Sequence, residues 1–344
     1  MISKIRSSKD QTEDATNLKE QYTKILLTIL QSISFNIPNY DYDLTIEDYA
    51  EQHFVSKGFP RDFIQRILPI IKWSSGIAIT SYPYTPVEVQ RVVAVYTSYV
   101  ITIDDLTGEM LEDLKGFSTR LFRGETQPNQ LLRCLIEFIH EEACPLYGQF
   151  ARDMMMKATM DFISACYFER EQNNKISFPR DAPNFPEYIR IKTGVAEVYS
   201  FFLFPSSMYP EDQYLELFLP AIPGLVRYFN LANDIFSFYK ESVVGDEQMN
   251  FVYNYASANG ISPLQSVRIL SATAVETVRQ VHGTLSQDPK MQADIDAFLN
   301  GYALYHLSQS RYRLTELDIP EAHEAVRLMR KLKEKVTLKQ LRQS

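Results

Sequence analysis

Glycine is scarce, at 12 of 344 residues. Neither GxGxxG nor GxxxxGK(S/T) occurs, so the Gly-rich phosphate loops of nucleotide-binding α/β folds are missing. Cysteine is scarcer still: Cys134, Cys144 and Cys166 lie in no metal-ligand spacing and cannot all pair. That excludes a disulfide framework and points to a reducing compartment, taken as the cytoplasm. Basic residues are in the minority, 35 Lys and Arg against 43 Asp and Glu, for a net charge of −8. A nucleic-acid partner is therefore not expected. The same charge repels free anions at long range, so a phosphate-bearing ligand would need local cations. No stretch approaches the roughly 20 apolar residues of a membrane-spanning helix, and the N-terminus is too polar for a secretory leader.

What the chain has is helical periodicity and aromatic side chains, with 21 Tyr and 21 Phe. Leu18, Tyr22, Ile25, Leu26 and Ile29 recur at helical spacing. Further helices are expected at 45–56, 60–81, 86–105, 109–123, 129–143 and 147–170. A Pro-rich loop then fills 171–186. Next come a helix at 187–204 with a break near Gly194, and one from Gln213 to Glu241 that kinks at Pro220 and Pro223. The last three span 250–258, 263–285 and 290–317. No strand pattern and no repeat is seen. The reading is a single all-α domain over 19–320. A polar, disordered segment at 1–18 precedes it, and a basic tail of solvated helix at 321–344 follows it.

The most informative stretch is Asn233 to Glu241, NDIFSFYKE. At about 100° per residue, Asn233, Ser237 and Glu241 fall within roughly 80° on one stripe, with Lys240 beside them. An amide, a hydroxyl and a carboxylate so spaced can ligate one hard cation such as Mg²⁺, leaving positions for water and phosphate oxygens. The same spacing also describes an ordinary solvated face. The flanks argue otherwise, because Leu225, Tyr228, Phe229, Leu231, Ile235, Phe236 and Phe238 make the helix apolar nearly all round. Polar groups on a buried helix need partners.

A second acidic cluster, Asp104, Asp105 and Glu109, ends the apolar helix VEVQRVVAVYTSYVITI. Carboxylates there face the negative end of the helix dipole, a cost that a bound cation offsets. On an unbroken helix Asp105 and Glu109 are about 40° apart but Asp104 and Glu109 about 140°. Asp104 and Asp105 are thus the stronger ligand candidates and Glu109 the weaker.

The string NDIFSFYKE fits (N/D)D(L/I/V)x(S/T)xxxE, the second metal motif of class I terpene cyclases. With the aspartate pair, the NFVYNY that follows a short acidic loop, and the late GYALYHLSQSRYRLTEL, the chain resembles the fungal trichodiene synthase-like sesquiterpene cyclases over residues 60–320. The resemblance implies a single-domain helical bundle around a central apolar cavity. It implies three Mg²⁺ ions: one pair at Asp104, with Asp105 beside it, and a third at Asn233, Ser237 and Glu241. Arg190, which lies 43 residues before Asn233, would hold the diphosphate together with Lys240, Arg311 and Tyr312. Thr193 and Gly194 fall at the helix break, where Gly194 would present a backbone carbonyl to the developing allylic cation. The chain departs from the family pattern at Gly108, where the third acid is displaced to Glu109, and at Gln309-Ser310, which replace Asp-Arg.

The implied reaction is ionisation of farnesyl diphosphate, then closure of the carbocation. A humulyl 1,11 ring is favoured over a bisabolyl 1,6 ring, on the departures in the diphosphate grip. Trp73, Tyr96, Tyr99, Phe201 and Tyr305 are candidates to face that cation, each equally readable as plain core. His306 reads as core or rim rather than as a base. Relatives of this kind are often homodimers. Two other readings remain: a chain-elongating prenyltransferase, which would carry two aspartate-rich motifs, and a non-catalytic helical binding protein.

Overall fold

Proline and short polar side chains set most helix boundaries. The computed structural model describes the backbone of residues 8–172 and 175–341, and side chains over 18–172 and 175–334. Among these residues the regular structure is entirely helical. Helix α1 (Ser8–Ser32) is followed by α2 (Thr45–Ser56), α3 (Arg61–Ser81) and α4 (Val87–Leu106). Pro60 and Pro86 stand just before α3 and α4, where a missing N–H costs nothing. Then come α5 (Leu111–Lys115), α6 (Phe117–Phe122), α7 (Gln130–Phe138) and α8 (Gln149–Glu171).

Helices α9 (Phe185–Thr193) and α10 (Ala196–Phe201) are separated by a break, and α11 (Glu211–Phe218) leads through a 3-10 turn into α12 (Ile222–Phe238). The kink expected at Pro220 and Pro223 is this 3-10 turn, Leu219–Ala221, with Pro223 near the start of α12. The chain ends in α13 (Phe251–Asn259), α14 (Pro263–Leu285), α15 (Pro289–Ser308) and α16 (Pro320–Leu341). Asn250 caps α13, Asp288 caps α15, and Ser262 with Gln265 forms a capping box at α14.

Four boundaries differ from the sequence reading. Helix α1 begins at Ser8, inside the segment read as disordered; residues 1–7 lie outside the described residues. The helix expected at 109–123 is interrupted at Gly116, where the Arg120 guanidinium occupies the space a Cβ would need. The helix expected at 290–317 stops at Ser308, and Arg311 and Tyr312 sit instead on a 3-10 turn, Ser310–Tyr312. The basic tail is not simply solvated: Ala322, Ala325 and Met329 of α16 are buried, and α16 packs on α15.

The packing leaves a space between helices. Helices α3 and α4 lie side by side; α15 covers α3; α12 is held between α10 and α14. Faces of α3, α4, α8, α9, α10, α12 and α15 enclose one cavity of about 510 Å³. That is within the usual size of a small-molecule site.

Candidate active site

Helix α4 shows how register selects the lining. Thr97, Val100, Ile101, Asp104 and Asp105 line the cavity. At about 100° per residue, Val100, Ile101 and Asp104 all lie within roughly 60° of Thr97, whereas Tyr96 and Tyr99 point elsewhere. Tyr96 bonds Thr159 at 2.8 Å and Tyr99 bonds His53 at 2.9 Å, both in the core. Phe201 likewise packs against Phe150 away from the cavity. Of the five aromatic candidates only Tyr305 lines the space. Trp73 lies under Arg311, whose guanidinium stacks 4.7 Å from its ring centre, so it steadies a cation of the protein rather than facing the substrate. The aromatic wall is instead Tyr199, Phe229, Tyr302 and Tyr305, with Phe162 opposite. Tyr199 and Phe229 stack at 4.6 Å, and Phe229 and Tyr302 at 4.2 Å. Period and composition could not separate these rings from others on apolar helices.

The rim formed by α12 is closely built. Asn233, Asp234 and Ser237 project from α12, and Lys240 and Glu241 from the π-turn that continues it, Tyr239–Val243. The stripe predicted on a regular helix thus survives a change of helix type. Arg190 on α9 donates from Nε to both oxygens of Asp234, at 2.9 and 2.8 Å, and from Nη2 to Asn233 Oδ1 at 3.3 Å. Burial pushes the Asp234 carboxyl up to about 6, against the downward pull of Arg190. Lys240 Nζ lies 2.7 Å from Glu241 Oε1, and Asn250 Nδ2 lies 3.3 Å from Glu241 Oε2. Ser237 is buried, and its hydroxyl has no hydrogen-bond partner among the described residues.

The opposing rim is looser. Asp104 and Asp105 stand at the last turn of α4 and form no ion pair among the described residues. Desolvation, reinforced by Asp105, raises the Asp104 carboxyl to about 6. Glu169 at the end of α8, which no sequence motif marked, lines the same cavity; desolvation and Asp104 raise it to about 7. Glu109 does not join them. Its carboxylate is exposed and held by Arg66, 2.9 Å from Nη1, on an adjoining cavity of about 570 Å³. The turn after Leu106 carries it off the α4 face, so it shares only the adjoining cavity with Asp104 and Asp105.

Gly194 lines the cavity at the α9–α10 break, where a Cβ would collide with Asn230 and Arg190. The strained residue is its neighbour: Val195 has φ 39°, in the left-handed region. Arg311 and Tyr312 complete the rim. Their 3-10 turn brings the Tyr312 ring within 5.8 Å of Lys240 Nζ. His306 is fully buried, its Nδ1 2.8 Å from Tyr302 O, and burial lowers it to about 3, so it is a neutral core residue.

Does this donor set suit Mg²⁺? No three His, Cys, Asp or Glu side chains among the described residues are placed to hold a metal ion by themselves. One rim offers two unpaired carboxylates with Glu169 beside them; the other offers an amide oxygen, an unpartnered hydroxyl and a carboxylate. Oxygen-only donors, too few to fill a coordination sphere, match a hard cation that keeps waters and takes phosphate oxygens.

The comparisons agree with this geometry. The trichodiene synthase (TRI5) family model matches residues 18–337. An (E)-beta farnesene synthase of Metarhizium brunneum is 42% identical over 311 residues, covering 90% of this chain and 94% of that protein. Trichodiene synthase of Trichoderma arundinaceum is 24% identical, covering 86% and 78%. In fold, the chain is similar to the linalool/nerolidol synthase of Streptomyces clavuligerus, solved with 2-fluorogeranyl diphosphate. The TM-score there is 0.59 at 12% identity, over 77% of this chain and 99% of that one. With the match running through both rims and the cavity between them, the chain belongs to the trichodiene synthase family of terpene synthases.

Proposed function

We propose that this protein is a Mg²⁺-dependent sesquiterpene synthase that ionises farnesyl diphosphate and converts the allylic cation to a hydrocarbon. One observation carries the reading. Three cations, Arg190, Lys240 and Arg311, and two sets of oxygen donors converge on one cavity whose remaining wall is largely aromatic and aliphatic. The net charge of −8 makes that local cluster the more telling.

Asp104, Asp105 and Glu169 on one side, and Asn233, Ser237 and Glu241 on the other, would hold the metal. Mg²⁺ supplies Lewis-acid stabilisation of the departing diphosphate when bound there. Arg190, fixed through Nε by Asp234, keeps N–H groups for the diphosphate, and Lys240, Arg311 and the Tyr312 hydroxyl add to that grip. As the carbon–oxygen bond breaks, both electrons leave with the diphosphate. The allylic cation then faces Tyr199, Phe229, Tyr302 and Tyr305, each ring worth about 0.5–2 kcal/mol. The buried wall excludes water.

Of the fates open to the cation, we favour loss of a proton to the departed diphosphate without ring closure. The relative at 42% identity is named for farnesene, an acyclic product, whereas no feature of the cavity favours the 1,11 closure expected from the sequence. Purified protein with farnesyl diphosphate and Mg²⁺ should give a farnesene by gas chromatography, abolished by a chelator. A cyclic hydrocarbon would overturn the product, and no hydrocarbon the reaction. Longer prenyl chains on adding isopentenyl diphosphate would indicate chain elongation instead.

A further inference from the structure

Tyr22 belongs to the apolar stripe of α1, yet its hydroxyl is bonded 213 residues away. It donates to Ile235 O at 2.6 Å and lies 3.5 Å from Phe236 O. Tyr22 is completely closed to solvent. Ile235 and Tyr239 are the i and i+4 partners that a regular helix joins to each other. The hydroxyl therefore adds a side-chain bond to a carbonyl of the last regular turn of α12. Directly after it the helix changes to i→i+5 pairing over Tyr239–Val243, with Val244 N on Tyr239 O at 2.9 Å. Single π-turns recur at functional sites.

The ring is fixed as firmly as the hydroxyl. It stacks on Tyr239 at 6.2 Å with planes 7° apart and packs on Phe238 at 5.6 Å. Helix α1 rests on this π-turn and on α14. The two residues that the π-turn delivers to the cavity are Lys240 and Glu241. We infer that Tyr22 is a positioning residue: its hydroxyl, bonded to Ile235 O, and its ring, stacked on Tyr239, hold the widened turn that aims Lys240 and Glu241 at the bound diphosphate and metal. Helix α1, outside the enclosure of the cavity, thereby takes part in building the site.

This inference rests on the diphosphate reading above, and its test separates the two. The full-length protein is titrated with inorganic diphosphate at several Mg²⁺ concentrations by calorimetry, beside thermal melting. The variants are Tyr22→Phe and, as a control, Tyr42→Phe, which also loses a buried hydroxyl, one bonded to Pro38 O at 2.6 Å and remote from the site. Tyr22→Phe is expected to weaken diphosphate binding about 10–100-fold and to raise the Mg²⁺ needed for half-saturation, as loss of an outer-shell partner does. Tyr42→Phe is expected to melt earlier but bind as the wild type does. If Tyr22→Phe does not fold, Tyr22→Gln, which keeps a donor and an acceptor, should bind more tightly than Tyr22→Leu. Wild-type binding in Tyr22→Phe, or equal binding by the Gln and Leu variants, overturns the inference alone. No binding by the wild type overturns the diphosphate reading and the inference together.

Discussion

The two rims of the cavity are built in opposite ways. On α12 and its π-turn every charged donor is held by the protein: Asp234 by Arg190 at 2.8 Å, Glu241 by Lys240 at 2.7 Å and by Asn250 at 3.3 Å. At the end of α4, Asp104 and Asp105 stand together on the unfavourable end of a helix dipole without an ion-pair partner. The first rim is assembled before any ligand arrives. The second has like charges that Arg311 and Lys240 offset only without direct contact, leaving room for a cation. On the function proposed above, one side would fix where the diphosphate sits and the other would make its capture depend on metal.

Substitutions on the prearranged rim should have the largest effects. Asn233→Ala and Glu241→Ala should each lower turnover about a thousandfold, because several kcal/mol of leaving-group stabilisation is lost. Neither should move the melting temperature much, and steady-state assays beside calorimetric melting check both. Arg190→Ala should damage activity and folding together. It leaves the buried Asp234 carboxylate unpaired, at a cost of about 3–5 kcal/mol in denaturant unfolding. On the open rim the two effects should diverge. Asp104→Asn is expected to lower turnover about a hundredfold yet raise the melting temperature of the ligand-free protein, since it relieves the repulsion from Asp105. A fall in both would erase the contrast between the rims.

Acidity gives a smaller, graded test. Asp104 and Asp234 are raised to about 6 and Glu169 to about 7. The folded protein thus takes up protons that the unfolded chain binds only near a pH of about 4. These groups therefore destabilise the ligand-free fold at neutral pH, a penalty that begins to lift as pH falls through 7 to 6 and is gone near a pH of about 4. Over the same window, melting shifts caused by Mg²⁺ and diphosphate should shrink, because protonated carboxylates do not bind metal. The smallest effect belongs to Glu109. Glu109→Gln should leave turnover within roughly threefold, as expected for an exposed ion pair with Arg66. A drop as large as that of Asp104→Asn would return Glu109 to the metal site.

The helices and the chemistry of the site were legible where a rule acts locally. Proline marked the break before α12, and the NDIFSFYKE spacing picked out one rim because its polar residues interrupt an apolar helix. Lys240 came from that same stripe, and Arg190, Arg311 and Tyr312 from the family resemblance; all four line the cavity. What depends on tertiary packing was not legible. Tyr96 and Tyr99 are as aromatic as Tyr199 and Tyr302, and only the rotation of α4 within the bundle turns them away. Glu169 carries no spacing signal, and Glu109, the weaker ligand candidate from its angle to Asp104, lies on the turn past Leu106 beside Arg66. The π-turn at Tyr239 is set from α1, a distance in sequence that no periodicity reports.

The central claim is that both rims close on one metal-bound diphosphate. Crystals grown with Mn²⁺ and inorganic diphosphate test it directly, since Mn²⁺ scatters anomalously. The account predicts anomalous peaks at both Asp104 and the Asn233–Ser237–Glu241 set, bridged by diphosphate density that touches Arg190 and Arg311. Metal on only one rim, or diphosphate bound elsewhere on the protein, would contradict it.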